Sequence, residues 1–200
     1  MRRAVISLVL FFAFVVIVTA SRHSTSTVTT STTASPGVGS TSTTTTSVVA
    51  PGSTCTGSDF HATFGLSQGA AGTVYSSVRL TKTTTGQCTL NGWPLLTLQN
   101  AQGAVVASRT IDLPTSNSPI VFPDTAANAA PTTLTLATGA STSFDLAYSD
   151  VPTGSETSCP SVSSVAIAIA QGQAVAVATP SYPLQPCGGG TVWVSPFFKS

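Results

Sequence analysis

Short runs of alternating apolar and polar residues, cut apart by Gly and Pro, run from residue 60 to the end of the chain and leave room for little but β structure. In Thr73 to Thr81, Val74, Val78 and Leu80 share one face with Ser76 between them, while Tyr75, Ser77 and Arg79 share the other. Phe60 to Leu66 precedes that run across a turn at Gly69/Gly72. Leu95 to Leu98 and Val105 to Ile111 flank a turn at Gln102-Gly103, and Leu134 to Leu136 and Ser143 to Tyr148 lie on either side of Gly139. Val165 to Ala170 and Ala174 to Ala178 bracket Gln171-Gly172-Gln173 as a hairpin, and Thr191 to Val194 closes the chain. Val165, Ile167 and Ile169 alternate with small residues, which is strand spacing. No stretch carries a helical period with caps. About eight short strands parted by turns predict an all-β fold, an antiparallel immunoglobulin-like β-sandwich. Residues 113–132, with Pro114, Pro119, Pro123 and Pro131, read as a long connection in which Ile120-Val121-Phe122 is an edge strand.

The first twenty residues have the form of an export signal. Met1-Arg2-Arg3 is basic, Ala4 to Val18 is almost unbroken hydrocarbon, and Val18-Thr19-Ala20 offers small residues for a peptidase. An apolar run of about 15 residues spans about 23 Å as a helix, short of the ~30 Å core of a bilayer. Cleavage after Ala20 is therefore expected, with an uncleaved membrane anchor as the alternative. Residues 21–54 are Ser and Thr broken by Pro36-Gly37, Gly39 and Pro51-Gly52, with no recurring large apolar residue to offset the entropy of ordering. They read as a disordered stalk whose composition fits O-glycosylation as well as a bare linker. Residues 55–200 form the folded domain.

Charged residues make up 6% of the sequence, against about 25% in typical soluble domains. With no cluster of Lys and Arg, nucleic acid is excluded as a partner. The cysteines are Cys55, Cys88, Cys159 and Cys187. Export places them in an oxidising compartment, and no Cys-x-x-Cys pair suggests zinc or redox work. Of three pairings, Cys55–Cys88 with Cys159–Cys187 closes loops of similar size near each end of the domain, and is expected.

Gln68-Gly69-Ala70-Ala71-Gly72, Leu80-Thr81-Lys82-Thr83 and Cys88-Thr89-Leu90-Asn91-Gly92-Trp93-Pro94 recur in order with Thr138-Gly139-Ala140-Ser141, Phe144 to Tyr148, Cys159, Cys187-Gly188-Gly189-Gly190 and Val194-Ser195-Pro196. Together they resemble an actinobacterial family of exported proteins catalogued as domain of unknown function 4232, over about residues 55–197. The resemblance implies an exported β-sandwich, often tethered to the envelope, and brings no activity or catalytic residues with it. Many relatives look like lipoproteins, but this chain has no cysteine near Ala20 to take a lipid.

The candidate chemistry is thin. Gly65-Leu66-Ser67-Gln68-Gly69 matches the Gly-x-Ser-x-Gly elbow, which requires a helix after the Ser and a His later in the chain. A strand follows instead, and no His lies beyond Ser67. The two glycines read as positive-φ turns. Asp59-Phe60-His61 puts Asp and His on one strand face without a third ligand, so a surface Asp–His contact is expected there rather than a metal. Asp145 and Asp150 read as solvated carboxylates. Gly188-Gly189-Gly190 lacks the Lys-Ser/Thr of a phosphate loop and reads as a turn. Trp93 is expected in the core, while Trp193 and Phe197-Phe198 fit either core or sugar stacking.

No catalytic, metal-binding or cofactor-binding residue is assigned. The expectation is a non-enzymatic, exported envelope module, binding or structural, with a cell-wall glycan or an envelope protein as partner. The rival is an envelope hydrolase, which requires two or three of Asp59, Asp112, Asp124, Asp145, Asp150 and Glu156 to converge in a cleft that excludes water.

Overall fold

The computed structural model describes residues 52–115 and 118–200. The export segment and the stalk as far as Pro51 lie outside the described residues. The strands in chain order are β1 (Ser53–Thr54), β2 (Phe60–Ala70), β3 (Thr73–Lys82), β4 (Cys88–Leu90), β5 (Leu95–Gln99) and β6 (Arg109–Asp112). After the long connection come β7 (Leu134–Leu136), β8 (Ser141–Ser149), β9 (Ser164–Ala168), β10 (Ala176–Ala178), β11 (Thr191–Val194) and β12 (Phe198–Lys199). The fold is all-β, with both expected disulfides, Cys55–Cys88 and Cys159–Cys187.

A large sheet in the order β2-β3-β8-β11-β6, with β12 also paired to β8, is accompanied by two three-stranded sheets, β1-β4-β7 and β10-β9-β5. The main core draws on all three. Phe60, Val78, Leu80, Phe144, Leu146, Val192 and Val194 come from the large sheet, while Leu90, Leu136, Leu98, Val165 and Ile167 come from the small ones. These are the apolar faces that period-two alternation marks. Phe197 seals one part of the core with its ring edge-on to Phe144, centroids 5.9 Å apart.

Several details correct the expectation. The sheets are not purely antiparallel, because β1 runs parallel to β4 and β11 parallel to β6. Ser53–Thr54, assigned to the stalk, already belongs to the fold as β1. Val105 to Ile111 is not one strand. Val105 bridges back to Gln99 in a small sheet, and only Arg109–Asp112 pairs in the large one. Thr191–Val194 is not the last strand, since β12 continues along β8 beyond it.

Gly65 and Gly69 are not turns. Both lie inside β2, and the turn falls at Ala71-Gly72, where φ is 49° and 80°. Two successive positive-φ residues are what a two-residue hairpin matching strand twist requires.

Ile120-Val121-Phe122 is not a strand either. Asn128 holds the segment by accepting from the Phe122 N–H and donating to the Phe122 carbonyl, each at 2.8 Å. The segment folds over the second face of the large sheet, where Ile120, Phe122, Leu113 and Ala127 bury Ala147 and Phe198. Tyr75, Ile111 and Trp193 pack against that second cluster.

Candidate functional site

Two interruptions of regular pairing fall on one line across the large sheet. In β2, Phe64 pairs with Val78 and Ser67 with Ser76, so Gly65 and Leu66 together oppose Ser77. Ser77 in turn pairs with Asp145 of β8. On the far side of Asp145 the lane shared by β11 and β12 breaks. Val194 pairs with Leu146 and Phe198 with Ser143, so residues 195–197 oppose two residues. Ser195 fills the break by donating its N–H to the Asp145 carbonyl (2.9 Å) and accepting the Asp145 N–H on its hydroxyl (2.8 Å). Bulges re-aim side chains, and the first leaves Leu66 90% exposed.

Asp145 sits at the middle of this line and is only 6% exposed. The solvated carboxylate expected there is therefore overturned. Alternation correctly places Asp145 on the face away from the main core, but the 113–132 connection covers that face. A pocket of about 170 Å³ remains beside it. The β2–β3 hairpin supplies Leu66, Gln68, Tyr75 and Ser77 to its lining, β8 supplies Asp145, and the connection supplies Pro123 and Asp124. Burial pushes the Asp145 carboxyl above its ordinary value, the Ser77 hydroxyl bond opposes that, and the charge of Asp124 adds to it. Asp124 itself is exposed and caps the 3-10 turn Thr125–Asn128, its Oδ1 accepting from the Ala126 N–H at 2.9 Å. A second depression of about 140 Å³ is lined by Phe64, Leu66, Pro180 and Tyr182, and Tyr182 is 83% exposed. Leu66 lines both depressions.

The other sequence candidates have structural partners. Ser67 lies within a strand and bonds the Ser76 hydroxyl at 2.7 Å, with another strand after it, so the elbow geometry is missing. Asp59 does not contact His61. Its carboxylate accepts from the Thr56 N–H (2.8 Å) and the Thr84 hydroxyl, and lies 4.0 Å from the Lys82 ammonium. Those bonds, from Thr84 first and then the Thr56 backbone, hold Asp59 below the ordinary carboxylate value. Lys82, which enters the sequence reading only as part of the family resemblance, is fully buried and donates to the Thr84 carbonyl (2.8 Å) and hydroxyl (2.6 Å). The signal was present, since extending the alternation of Val78 and Leu80 by one step reaches Lys82.

Gly188-Gly189-Gly190 is a turn, as expected, with φ of 65°, 69° and 74°. Consecutive left-handed residues aim their N–H groups together, and such a nest attracts an anion. Glu156 fills it, accepting from Gly188 and Gly189 at 2.8 Å each. Asp112 and Asp150 are exposed. Trp93 packs against the main core and donates its indole N–H to the Leu113 carbonyl at 2.6 Å, as expected of a core Trp. Trp193 is half-buried and packs against the second cluster, while Phe197 and Phe198 are buried, so neither phenylalanine offers an open stacking face. Of the six carboxylates named at the outset, Asp124 and Asp145 share a pocket. Among the described residues, no three His, Cys, Asp or Glu side chains come together as a metal site.

These features define an all-β domain fastened by two disulfides, with a partly open polar pocket at a bulged sheet edge. The chain belongs to the family described as Domain of unknown function (DUF4232), whose model matches residues 55–197. No curated protein and no solved structure matches it.

Proposed function

We propose that the chain is an exported cell-envelope module that binds its target through the face around Asp145 and Leu66. One observation carries this reading. A carboxylate more than nine-tenths buried lines a pocket, at a point where two strand irregularities meet, beside two large exposed side chains, Leu66 and Tyr182. Recognition sites are concave and combine apolar or aromatic surface with a few placed polar groups, and Leu66, Tyr75 and Tyr182 beside Asp145 and Ser77 give that combination. Export is supported by the Arg-led apolar segment at 1–20, by two disulfides that fit an oxidising compartment, and by the resemblance to actinobacterial exported proteins. Cleavage after Ala20 makes Ser21 the mature N-terminus, and N-terminal sequencing of secreted protein tests that. The partner is a cell-wall glycan or an envelope protein.

Co-sedimentation of the secreted chain with isolated envelopes tests the face. Leu66→Asp and Tyr182→Ala are expected to reduce binding at least tenfold, while Val105→Asp, exposed at the end of a different sheet, leaves it unchanged. Binding that is absent, or indifferent to Leu66 and Tyr182, overturns the reading. The hydrolase alternative draws support from the shared pocket of Asp124 and Asp145, because glycoside hydrolysis uses two convergent carboxylates. Its mark is release of soluble wall fragments that stops in Asp145→Asn while sedimentation persists. Against it stands the exposure of Asp124, which leaves the pair in contact with water.

A further inference from the structure

We propose that the Asp145 pocket takes a protonated amine, a primary ammonium group carried by a sugar or by an aliphatic chain. This rests on the binding face described above and narrows its ligand chemistry. The pocket lining contains two carboxylates, Asp124 and Asp145, and no Lys, Arg or His. Arg79, one step along the same face in register with Ser143, is exposed and forms no ion pair with either. Among the described residues the ion pair is that of Lys82 with Asp59, on another part of the sheet. A desolvated carboxylate is costly until a cation or several donors meet it, and Ser77 supplies one hydroxyl.

An ammonium group brings three N–H donors and a full charge, which matches two carboxylates better than a neutral hydroxyl does. Tyr75 also lines the pocket, and an aromatic ring attracts an organic cation further. A calcium ion suits the site poorly. It takes six to eight oxygens, while Asp124 has one oxygen engaged by the Ala126 N–H. The volume, about 170 Å³, admits an ammonium together with a short stretch of its carrier.

The test is an NMR titration of the secreted chain near neutral pH with four probes: glucosamine, N-acetylglucosamine, 1,5-diaminopentane and 1,5-pentanediol. At least one amine should produce saturating shifts at the Ser77 and Asp145 amides, at least tenfold tighter than its neutral counterpart and weakened by salt. Asp145→Asn should reduce that affinity at least tenfold. Asp124→Asn keeps a good capping side chain, serves if the first variant fails to fold, and should also weaken binding. The tighter amine identifies a sugar or an aliphatic chain as carrier. Equal binding of amine and neutral analogue, saturation by calcium chloride instead, or no shifts with any probe overturns the proposal. If the chain still sediments with envelopes through Leu66 and Tyr182 in those cases, the amine assignment alone has failed.

Discussion

Ser77 of β3 and Asp145 of β8 stand directly opposite one another in the large sheet, and each is flanked on its outer side by an irregular strand. Beyond Ser77 lies the Gly65-Leu66 bulge, and beyond Asp145 lies Ser195, which holds the Asp145 backbone from both its N–H and its carbonyl. A backbone fixed this way holds in place the strand position from which Asp145 lines the pocket, and a site held in place before binding is what preorganisation contributes to affinity.

The pH dependence of Asp145 follows. Burial, with the charge of Asp124, raises its folded pKa above the ordinary 3.8. The folded state then holds the proton more tightly than the unfolded chain, so this group's contribution to stability falls as pH rises from about 4 through the folded value. Asp145→Asn removes the ionisation. The variant should be more stable than the parent at neutral pH, and the difference should shrink toward pH 4 as the parent protonates. Urea denaturation of both proteins across that range measures it. A constant difference, or one that grows in acid, contradicts the burial argument.

Asp59 behaves oppositely. Its bonds from Thr84 and Thr56 lower its folded pKa below 3.8, so its contribution is present above that value and is lost as pH falls through the folded one. Asp59→Ala should cost about 2 kcal/mol near neutrality, typical of lost bonds to a charged group, and less in strong acid. Lys82→Met should be tolerated within about 1 kcal/mol, since Asp59 is part-exposed and keeps its bonds from Thr56 and Thr84, the Thr84 carbonyl keeps its bond from the Thr138 hydroxyl, and methionine fills the buried stem. Lys82→Ala leaves a cavity and should cost about 2–4 kcal/mol. Thermal or urea melts of the three variants rank them, and equal losses from Met and Ala would refute the packing account.

The alternation that made the strands legible also made the main core legible. Val78, Leu80, Phe144, Leu146, Val165 and Ile167 sit where period two puts them. The disulfide pairing followed from loop size. What alternation cannot convey is whether a second face is covered, and this is why Asp145 read as solvated and Trp193 stayed open. The cover is a connection that binds through Asn128 and scattered apolar residues, without a period of its own. Bulges escape for a related reason. Gly65 looks like a turn residue in isolation, and only the partner strand reveals that the chain continues straight through it.

The disulfides enclose separations of 33 and 28 residues. In the chain-entropy model, closing loops of that size is worth about 3–4 kcal/mol each, comparable with the whole margin of a small domain. Replacing Cys159 and Cys187 together by Ser should therefore lower stability by about 3 kcal/mol, and full reduction should bring the domain near its unfolding midpoint at about 37 °C. Thermal melts with and without reductant check this. A melting temperature unmoved by reductant would mean that the sheets alone hold the fold.

The three consecutive glycines differ in what they tolerate. At Gly189 a Cβ meets nothing within 4 Å, so Gly189→Ala carries only the strain of a left-handed backbone, about 1 kcal/mol. At Gly190 the Cβ would overlap the Ala107 carbonyl oxygen, a backbone atom that cannot swing aside, and the φ of 74° is equally unfavourable. Gly190→Ala should cost about 3 kcal/mol or more. Glu156 reports on the intact nest from inside it. Bonds from the Gly189 and Gly188 N–H groups, then from Thr153, hold its carboxyl below the ordinary 4.5. The Gly188 and Gly189 amide resonances should therefore titrate together with a midpoint below 4.5, and Glu156→Gln should abolish that titration. Amides that ignore acid, or that move at the ordinary carboxylate value, would show that Glu156 does not occupy the nest in solution.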